Sequence, residues 1–289
     1  MQPKIQTNLN SEQLLKKVDC LIHQRTNCHL PYVAGSSEQG LYIRFFNDFA
    51  ILKNGIPLLR LNAKKQRAIV AFFLLNPQIG WTKEQLITRF WDDYIINSPE
   101  NNLKVTLSYI RSQFSKTSFG VSPLIHADGK YYWNRDIPIQ SDVDYFKRSY
   151  FDVLSFREND SWNYFHHLCT AIHAYSGDFL IEFQDASWLQ DEKLQLERFY
   201  RSALEMLSRF CISKEAWRAA IVVNEKINQI DSINESAVRD LMRCYLRIGE
   251  RGKAIRQYHI LKDRLREFYG IEPDSQTRDL VSEVLGQTG

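Results

Sequence analysis

The stretch from Thr82 to Phe114 holds the side chains with the clearest chemical pattern in the chain. It comprises two short amphipathic segments separated by a polar break. In the second segment the apolar residues recur at i, i+4, i+7 and i+11, which is the spacing of one helical face; they are Leu103, Leu107, Ile110 and Phe114. The opposite face offers amide, hydroxyl and basic groups without carboxylates, a composition suited to base edges and phosphates in a major groove.

The polar face divides into side chains suited to bases and side chains suited to the sugar-phosphate backbone. Asparagine can pair bidentately with adenine, and threonine can meet a thymine methyl group. We therefore predict that base edges are contacted by Asn102, Thr106 and Tyr109. Backbone or flanking contacts are predicted for Asn101, Lys104, Ser108, Arg111 and Ser112. The alternative is a solvated helix face without a partner.

The excess of positive charge lies in the part of the chain that contains this pattern. Residues 41–139 hold 13 Lys and Arg against 7 Asp and Glu, a net charge of +6, whereas residues 140–289 hold 20 against 24, a net charge of −4. A basic segment favours a polyanion as its partner. Lys64, Lys65 and Arg67 stand at the start of a predicted helix, where helical N–H groups add donors for phosphate. A solvated helix cap remains the alternative for this trio.

The composition excludes several other classes of protein. The longest apolar run, residues 68–75, is far shorter than the roughly 18 residues of a membrane span, and the first residues lack the apolar core of a secretory signal. Five cysteines without a Cys-x-x-Cys pair indicate reduced thiols in the cytoplasm. No phosphate-binding glycine loop, nucleophile elbow or zincin motif is present, so we expect neither an enzyme nor a cofactor.

Two groups of cysteine and histidine have the chemistry of metal ligands. The first contains Cys20, His23, Cys28 and His29; the second contains His166, Cys169 and His173. Neither group has a standard zinc spacing, so we predict no metal site.

The order of local signals predicts the fold of residues 41–139. A helix from Ser11 to about Gln24 and a linker up to residue 40 precede it. Alternating apolar residues from Leu41, with Asn54-Gly55 between two runs, indicate a small antiparallel sheet. Three helices follow: Asn62 would cap the first, Thr82 with Gln85 would form a capping box for the second, and Ser98-Pro99 would open the third.

A second hairpin at Asp128-Gly129 follows the third helix. Sheet, three helices and hairpin together make a winged helix-turn-helix, in which the third helix enters the groove and the hairpin is the wing. On this hairpin Lys130, Tyr131 and Arg135 are predicted to meet the minor groove or the backbone. An ordinary structural hairpin is the alternative.

From Asp142 onward the sequence predicts helices, at about 142–157, 160–175, 186–211, 214–229, 234–249, 251–268 and 274–286. Ala220 and Ala254 lie 34 residues apart in similar contexts, which is the period of tetratricopeptide helix pairs. Small residues let paired helices approach, and Gly249 would end one of them. We predict a mainly α chain with a small β component and three parts: residues 1–40, a winged helix at 41–139 and a tetratricopeptide-like domain at 140–289. Such arrays usually bind proteins; a helical bundle with only packing value is the alternative.

The order and spacing of several motifs resemble one protein family along residues 41–289. The matching segments of the first half are Lys64 to Ala68, Lys83 to Ile87, Phe90-Trp91 and Asn101 to Arg111. Those of the second half are Asp142 to Phe146, Tyr175 to Leu180, Arg243 to Leu246, Ala254 to Tyr258 and Tyr269 to Asp274. Together they resemble the SARP/AfsR type of bacterial transcriptional activator, which joins an OmpR-like winged helix to a bacterial transcriptional activator domain.

The resemblance implies a nucleoid-associated cytoplasmic activator that binds promoter DNA. Two copies would occupy repeated half-sites about one helical turn apart, overlapping the −35 region, and would recruit RNA polymerase through its sigma factor or alpha subunit. The indole N–H of Trp91 would meet a phosphate, although a wedge in the core is equally compatible with the sequence.

The sequence departs from the family at three positions of the third helix. Glu100 stands where a basic residue is usual, and Tyr109 and Ser112 stand where arginine is frequent. These departures lower the positive charge at the groove and predict weaker nonspecific binding. Two other functions stay open: a regulator gated by a ligand or partner held in the helical domain, and an adaptor whose DNA binding has degenerated.

Overall fold

The computed structural model describes residues 9–23, 40–91, 98–117, 121–156 and 161–286. The predicted linker before Gly40 and the ligand candidates Cys28 and His29 therefore lie outside the described residues. The described chain is mainly helical with two small sheets, as predicted.

The first sheet contains the predicted hairpin and one strand that the sequence did not indicate. Its strands are β1 (Leu41–Arg44), β2 (Ala50–Lys53), β3 (Ile56–Pro57) and β7 (Ile139–Ser141), in the order β3-β2-β1-β7. Asn54 and Gly55 turn the hairpin with positive φ angles of 52° and 79°. The unpredicted strand β7 runs parallel to β1, with Leu41 opposite Ile139.

Three helices follow the hairpin, as predicted: α2 (Lys64–Leu75), α3 (Lys83–Phe90) and α4 (Pro99–Ser115). The capping box at Thr82 and Gln85 is confirmed. The predicted cap at Asn62 is wrong, because the N-cap of α2 is Ala63 and no side chain bonds to its first N–H groups. The remaining donors of α2 are thus left for solvent or a ligand.

The second sheet is the predicted wing extended by one short strand. Strands β5 (Leu124–Ala127) and β6 (Lys130–Trp133) form the hairpin, and β4 (Trp81–Thr82) pairs with β6 just before α3 begins. This pairing needs Gly80, because a Cβ atom there would lie 2.2 Å from the Tyr132 ring. The wing is thereby fixed to the entry of α3.

The rest of the described residues are helical apart from one irregular segment between residues 175 and 189. The helices, including the N-terminal one, are α1 (Ser11–His23), α5 (Asp142–Ser155), α6 (Trp162–Ala174), α7 (Gln190–Ser213), α8 (Trp217–Ile230), α9 (Glu235–Arg247), α10 (Arg251–Tyr269) and α11 (Ser275–Gly286). Ala220 and Ala254 are fully buried at the same position of α8 and α10, and Gly249 ends α9 with a φ of 81°. These features agree with the predicted helix pairs.

The described residues form two compact units whose segments alternate along the chain. One unit contains α1, residues 147–174 and the chain from residue 196 onward; the other contains residues 40–146 and 175–195. In the first unit, α1 buries Leu14, Val18 and Ile22 and packs against α8. The boundaries at residues 40 and 139 stay a prediction; the two units are not separated by single cuts in the sequence.

Candidate nucleic-acid interface

Helix α4 buries the apolar face that the sequence predicted and leaves a polar face exposed. Leu103, Leu107, Ile110 and Phe114 are at most 1% exposed. The exposed positions of the other face are Asn101, Lys104, Val105, Ser108 and Ser112, and the half-buried ones are Asn102, Thr106, Tyr109 and Arg111. The predicted base-contacting residues therefore form one edge of the exposed face rather than its centre.

The centre of that face is an apolar side chain that the sequence analysis did not single out. Val105 is 60% exposed between Lys104 and Ser108. A β-branched residue is a mediocre helix former, and here its methyl groups gain little from burial. The sequence did contain a signal for this position, since Val105 lies outside the apolar face of α4. An exposed valine of this kind suits contact with a thymine methyl group.

Thr106 and Arg111 are partly engaged within the protein. The Thr106 hydroxyl donates to the Asn102 carbonyl oxygen at 2.7 Å, one turn back along α4. The Thr106 hydroxyl is therefore already engaged within α4. Arg111 donates from Nε to the Leu124 carbonyl oxygen at 3.1 Å, so it ties α4 to strand β5 of the wing.

The acidic residue at the start of α4 is paired with a lysine of α3. The Lys83 ammonium lies 3.1 Å from the Glu100 carboxylate, and this hydrogen bond raises the pKa of Lys83. The capping box, in which Gln85 N–H bonds to the Thr82 hydroxyl at 3.3 Å, sets the position of Lys83 at the first turn. Glu100 therefore neutralises a cation beside the predicted groove-entering helix.

The three basic residues at the start of α2 differ in their availability. Arg67 donates to the carbonyl oxygens of Leu61 and Asn62 at 2.8 and 3.1 Å and pairs with Glu182 at 2.7 Å. Its guanidinium is thus used within the protein. Lys64 is exposed, whereas Lys65 lies over the ring of Trp91 at 4.7 Å.

The predicted phosphate-contacting tryptophan is a largely buried residue. Trp91 is 7% exposed and packs edge to face on Phe90. Lys65 covers its ring, so the lysine and the indole form one local cluster. The phosphate contact of the Trp91 N–H stays a prediction, since the structure contains the protein chain alone.

The wing residues lie at both ends of the hairpin. Asp128 and Gly129 turn it with φ angles of 50° and 72°, and Lys130 stands exposed beside the turn. Tyr131 is half-buried against His126, with 4.5 Å between ring centroids. Arg135 lies beyond β6 and reaches the Gln78 carbonyl oxygen at 3.4 Å, so it belongs to the base of the hairpin rather than its tip.

The sequence analysis also missed one basic residue of this unit, Arg89. Arg89 is exposed on α3 and lies 5.0 Å from the ring centroids of both Phe72 and Trp81. Stacking on two rings fixes the plane of a guanidinium and leaves its N–H groups outward. No local sequence signal marks this arrangement, because Phe72 and Trp81 come from separate elements.

A buried carboxylate supports the sheet of the same unit. Asp142, at the start of α5, accepts hydrogen bonds from the N–H groups of Phe45 and Phe46 at 2.9 Å. Burial raises the pKa of Asp142 to about 7, against the lowering effect of these donors and of Val143 N–H. The irregular segment after α6 packs beside it, where Leu180 N–H bonds to the Phe45 carbonyl oxygen at 2.8 Å.

The described residues offer no group of three His, Cys, Asp or Glu side chains placed to hold a metal ion. The predicted candidates His166, Cys169 and His173 all lie on α6. Burial raises the pKa of Cys169 to about 12, which disfavours the thiolate that a metal needs. Among the same residues, no helix combines the length and apolarity required to cross a membrane.

The fold and the exposed face of α4 define a winged-helix protein that continues into an array of helices. Residues 142–285 match the family model of the bacterial transcriptional activator domain. The structure of Mycobacterium tuberculosis EmbR in complex with a low affinity phosphopeptide is similar, with a TM-score of 0.70 and 19% identity over 86% of this chain and 66% of that one. No curated protein sequence matches the chain. The match identifies residues 142–285 as similar to a bacterial transcriptional activator domain, and the likeness to the solved structure shows that the chain shares its fold.

Proposed function

We propose that this protein is a sequence-specific DNA-binding transcriptional activator that binds repeated promoter half-sites and recruits RNA polymerase. The observation that supports it best is the exposed face of α4, which is polar around the single apolar residue Val105 and free of carboxylates after Glu100. A helix of this kind in a winged-helix unit suits the major groove, and the family domain supports a regulatory role. Recruitment requires no catalytic residue.

The proposed base contacts form a band along α4. Asn102, Thr106 and Tyr109 remain candidates for base edges, and Val105 joins them because its exposed methyl groups can meet thymine. Around this band Asn101, Lys104, Ser108 and Ser112 are exposed and would meet phosphate or sugar.

The proposed phosphate contacts outside α4 come from the start of α2 and from the wing. Lys64 and Lys130 are exposed, and Lys65 with Trp91 forms a cation and indole pair at the start of α2. Arg67, Arg111 and Arg135 were predicted for the same role, but each donates to a carbonyl oxygen of the protein. We therefore expect their substitution to act mainly through the fold.

Two copies on DNA and contact with the sigma factor or alpha subunit complete the proposal. A single α4 reads only a few base pairs, so repeated half-sites about one helical turn apart would supply specificity. Action in the cytoplasm, in association with the nucleoid, follows from this role.

The first test is selection of genomic fragments by the purified full chain, followed by affinity titration over a salt series. We expect enrichment of promoter fragments with a repeated motif, and affinity that falls steeply with salt. Asn102→Ala and Thr106→Ala should each weaken binding to the selected site about 5- to 150-fold, corresponding to about 1–3 kcal/mol for a lost base contact.

Asn163→Ala is the matched control, since Asn163 is an exposed asparagine of α6 in the other unit. It should bind like the unchanged protein. Weak binding without a shared motif, unaffected by any of the three substitutions, would reject sequence-specific recognition.

A further inference from the structure

A groove of about 430 Å³ lies in the helical unit, among the end of α7, the start of α8, and helices α9 and α11. Its apolar walls include Ile212, Leu280 and Val284, and Trp217 stands half-buried at one side. This volume falls in the range of small-molecule sites, which combine apolar walls with a few polar groups. We call it the Trp217 groove.

One cation of the Trp217 groove is oriented but has no anionic partner. The Arg247 guanidinium lies 5.4 Å from the centroid of the Trp217 ring, and the side chain is exposed. Among the described residues no carboxylate lies within ion-pair distance of Arg247. A stacked guanidinium keeps its in-plane N–H groups available for a carboxylate and loses little entropy on binding it.

One anion of the groove is likewise without a cationic partner. Glu283 of α11 is exposed and lines the groove, and no described Lys or Arg forms an ion pair with it. The other two charged residues of the lining neutralise each other, since Asp240 and Arg243 pair at 3.2 Å. The groove therefore presents one unpaired positive and one unpaired negative group beside an apolar wall.

We propose that the Trp217 groove binds an apolar α-amino acid as its zwitterion. The Arg247 guanidinium would donate hydrogen bonds to the ligand carboxylate, and the Glu283 carboxylate would accept them from the ligand ammonium group. The ligand side chain would pack on apolar residues of the lining, namely Trp217, Ile212 and Leu280. The pairing of opposite charges with an aromatic and aliphatic wall favours this ligand over a simple acid or a simple amine. The site is separate from α4, so it stands whether or not the chain binds DNA.

The probe compounds are L-phenylalanine and L-leucine, titrated into the full chain by calorimetry and followed by thermal shift. Hydrocinnamate lacks the ammonium group of phenylalanine, and phenethylamine lacks its carboxylate. We expect saturable binding of the amino acids and at least about 10-fold weaker binding of both analogues, since a charge-assisted hydrogen bond contributes about 1.5–3 kcal/mol. A stabilising thermal shift should follow the same order.

Arg247→Gln and Glu283→Gln should each weaken amino-acid binding about 10-fold or more. Both side chains are exposed, so the fold should persist, which the melting temperature without ligand checks. Arg256→Gln and Glu267→Gln are matched controls on α10, exposed and outside the lining, and should bind normally. No saturable binding at about 10 mM amino acid, equal binding of the analogues, or binding unaffected by Arg247→Gln would each overturn the proposal.

Discussion

Glu100 changes the electrostatics of α4, the helix proposed to contact DNA, without being a free anion. It pairs with Lys83 at 3.1 Å. Glu100 stands where the family pattern has a basic residue, so α4 lacks that positive charge. The ion pair also engages the positive charge of Lys83 on α3. Both side chains face solvent, and the pair itself therefore contributes little to stability. Its effect should appear in DNA affinity, since phosphate attracts the cation and repels the carboxylate.

We predict that Glu100→Gln raises DNA affinity several-fold at low salt and steepens the salt dependence. The substitution removes a repulsive charge and frees Lys83 for a phosphate, which should add about 0.9 to the magnitude of the slope of log affinity against log salt. Fluorescence anisotropy over a salt series measures both quantities. Glu267→Gln, on α10 of the other unit, is the control. Equal slopes for Glu100→Gln and the unchanged protein would show that Lys83 does not reach the DNA backbone.

A second prediction concerns Asp142 and pH. Asp142→Asn places amide N–H groups against the N–H donors of Phe45, Phe46 and Val143, and should cost about 1–3 kcal/mol of unfolding free energy. Burial raises the pKa of Asp142 from 3.8 to about 7. A raised folded pKa gives stability that is fully present below the unfolded pKa and is lost as pH rises through the folded one.

The melting-temperature advantage of the unchanged protein over Asp142→Asn should accordingly be largest near pH 4 and shrink toward pH 7. Thermal denaturation of both proteins across this range measures the difference. If the difference instead grows with pH, the backbone donors outweigh burial and the folded carboxylate is ionised.

At the scale of single elements, the wing depends on a glycine that no sequence motif marks. A Cβ atom at Gly80 would lie 2.2 Å from the ring of Tyr132, whereas one at Gly252 in α10 would meet nothing within 4 Å. We predict that Gly80→Ala destabilises the protein by about 1–3 kcal/mol through overpacking. Gly252→Ala should be neutral or stabilise by up to about 1 kcal/mol, because helical alanine is favoured over glycine.

Chemical denaturation of the two variants side by side is the measurement. Gly80→Ala is expected to lower the free energy of unfolding, whereas Gly252→Ala should leave it unchanged or raise it. Gly252→Ala therefore controls for any general effect of replacing glycine by alanine. Equal stability of Gly80→Ala and the unchanged protein would mean that the Tyr132 ring moves aside freely.

The elements that the sequence predicted well are those with local signals. The hairpins at Asn54-Gly55 and Asp128-Gly129 require positive φ angles, and the Thr82 capping box joins residues three positions apart. The apolar stripe of α4 was readable for the same reason, since its period is a property of one helix. Such signals need no knowledge of the rest of the chain.

The features that were missed depend on contacts between distant residues. Strand β7 pairs with β1 across about 100 residues, and a short strand without alternation gives no register signal. The sequence likewise could not show that Glu182 engages Arg67 or that Lys65 covers Trp91. The sequence predicted which face of α4 is exposed but not how exposed each residue is. Val105 was therefore overlooked, and Asn102 was placed closer to the centre of the exposed face than it lies in the structure.

At the scale of the whole molecule, the winged-helix unit includes residues from the middle of the family domain. Phe179 contacts Phe46 at 6.2 Å between ring centroids, and Trp188 contacts Phe72 at 5.6 Å. Gly177 permits the approach, since a Cβ atom there would lie 2.0 Å from the Asn47 side-chain oxygen. Residues 175–195 are therefore part of the core of this unit.

We predict that a fragment of residues 41–139 does not unfold cooperatively. It lacks the buried side chains of Phe179, Leu180 and Leu189, each contributing about 1.5–3 kcal/mol, against a total stability of about 5–15 kcal/mol for a domain. Thermal denaturation followed by circular dichroism is the measurement.

The positive control joins residues 41–146 to 175–195 by a short flexible linker. Phe146 and Tyr175 lie 5.3 Å apart between ring centroids, so the linker spans a small gap. This fragment should regain a cooperative transition. A cooperative transition of the fragment 41–139 by itself would show that the added segment is dispensable.

The docking of α1 on α8 has a consequence for protein synthesis. Helix α1 begins at Ser11 and its partner begins at Trp217, so translation at about 5–20 residues per second separates them by about 10–40 s. During that interval the apolar stripe of Leu14, Val18 and Ile22 leaves the ribosome without its partner. A nascent chain of this design should therefore recruit chaperones when α1 emerges and release them only when α8 has been made.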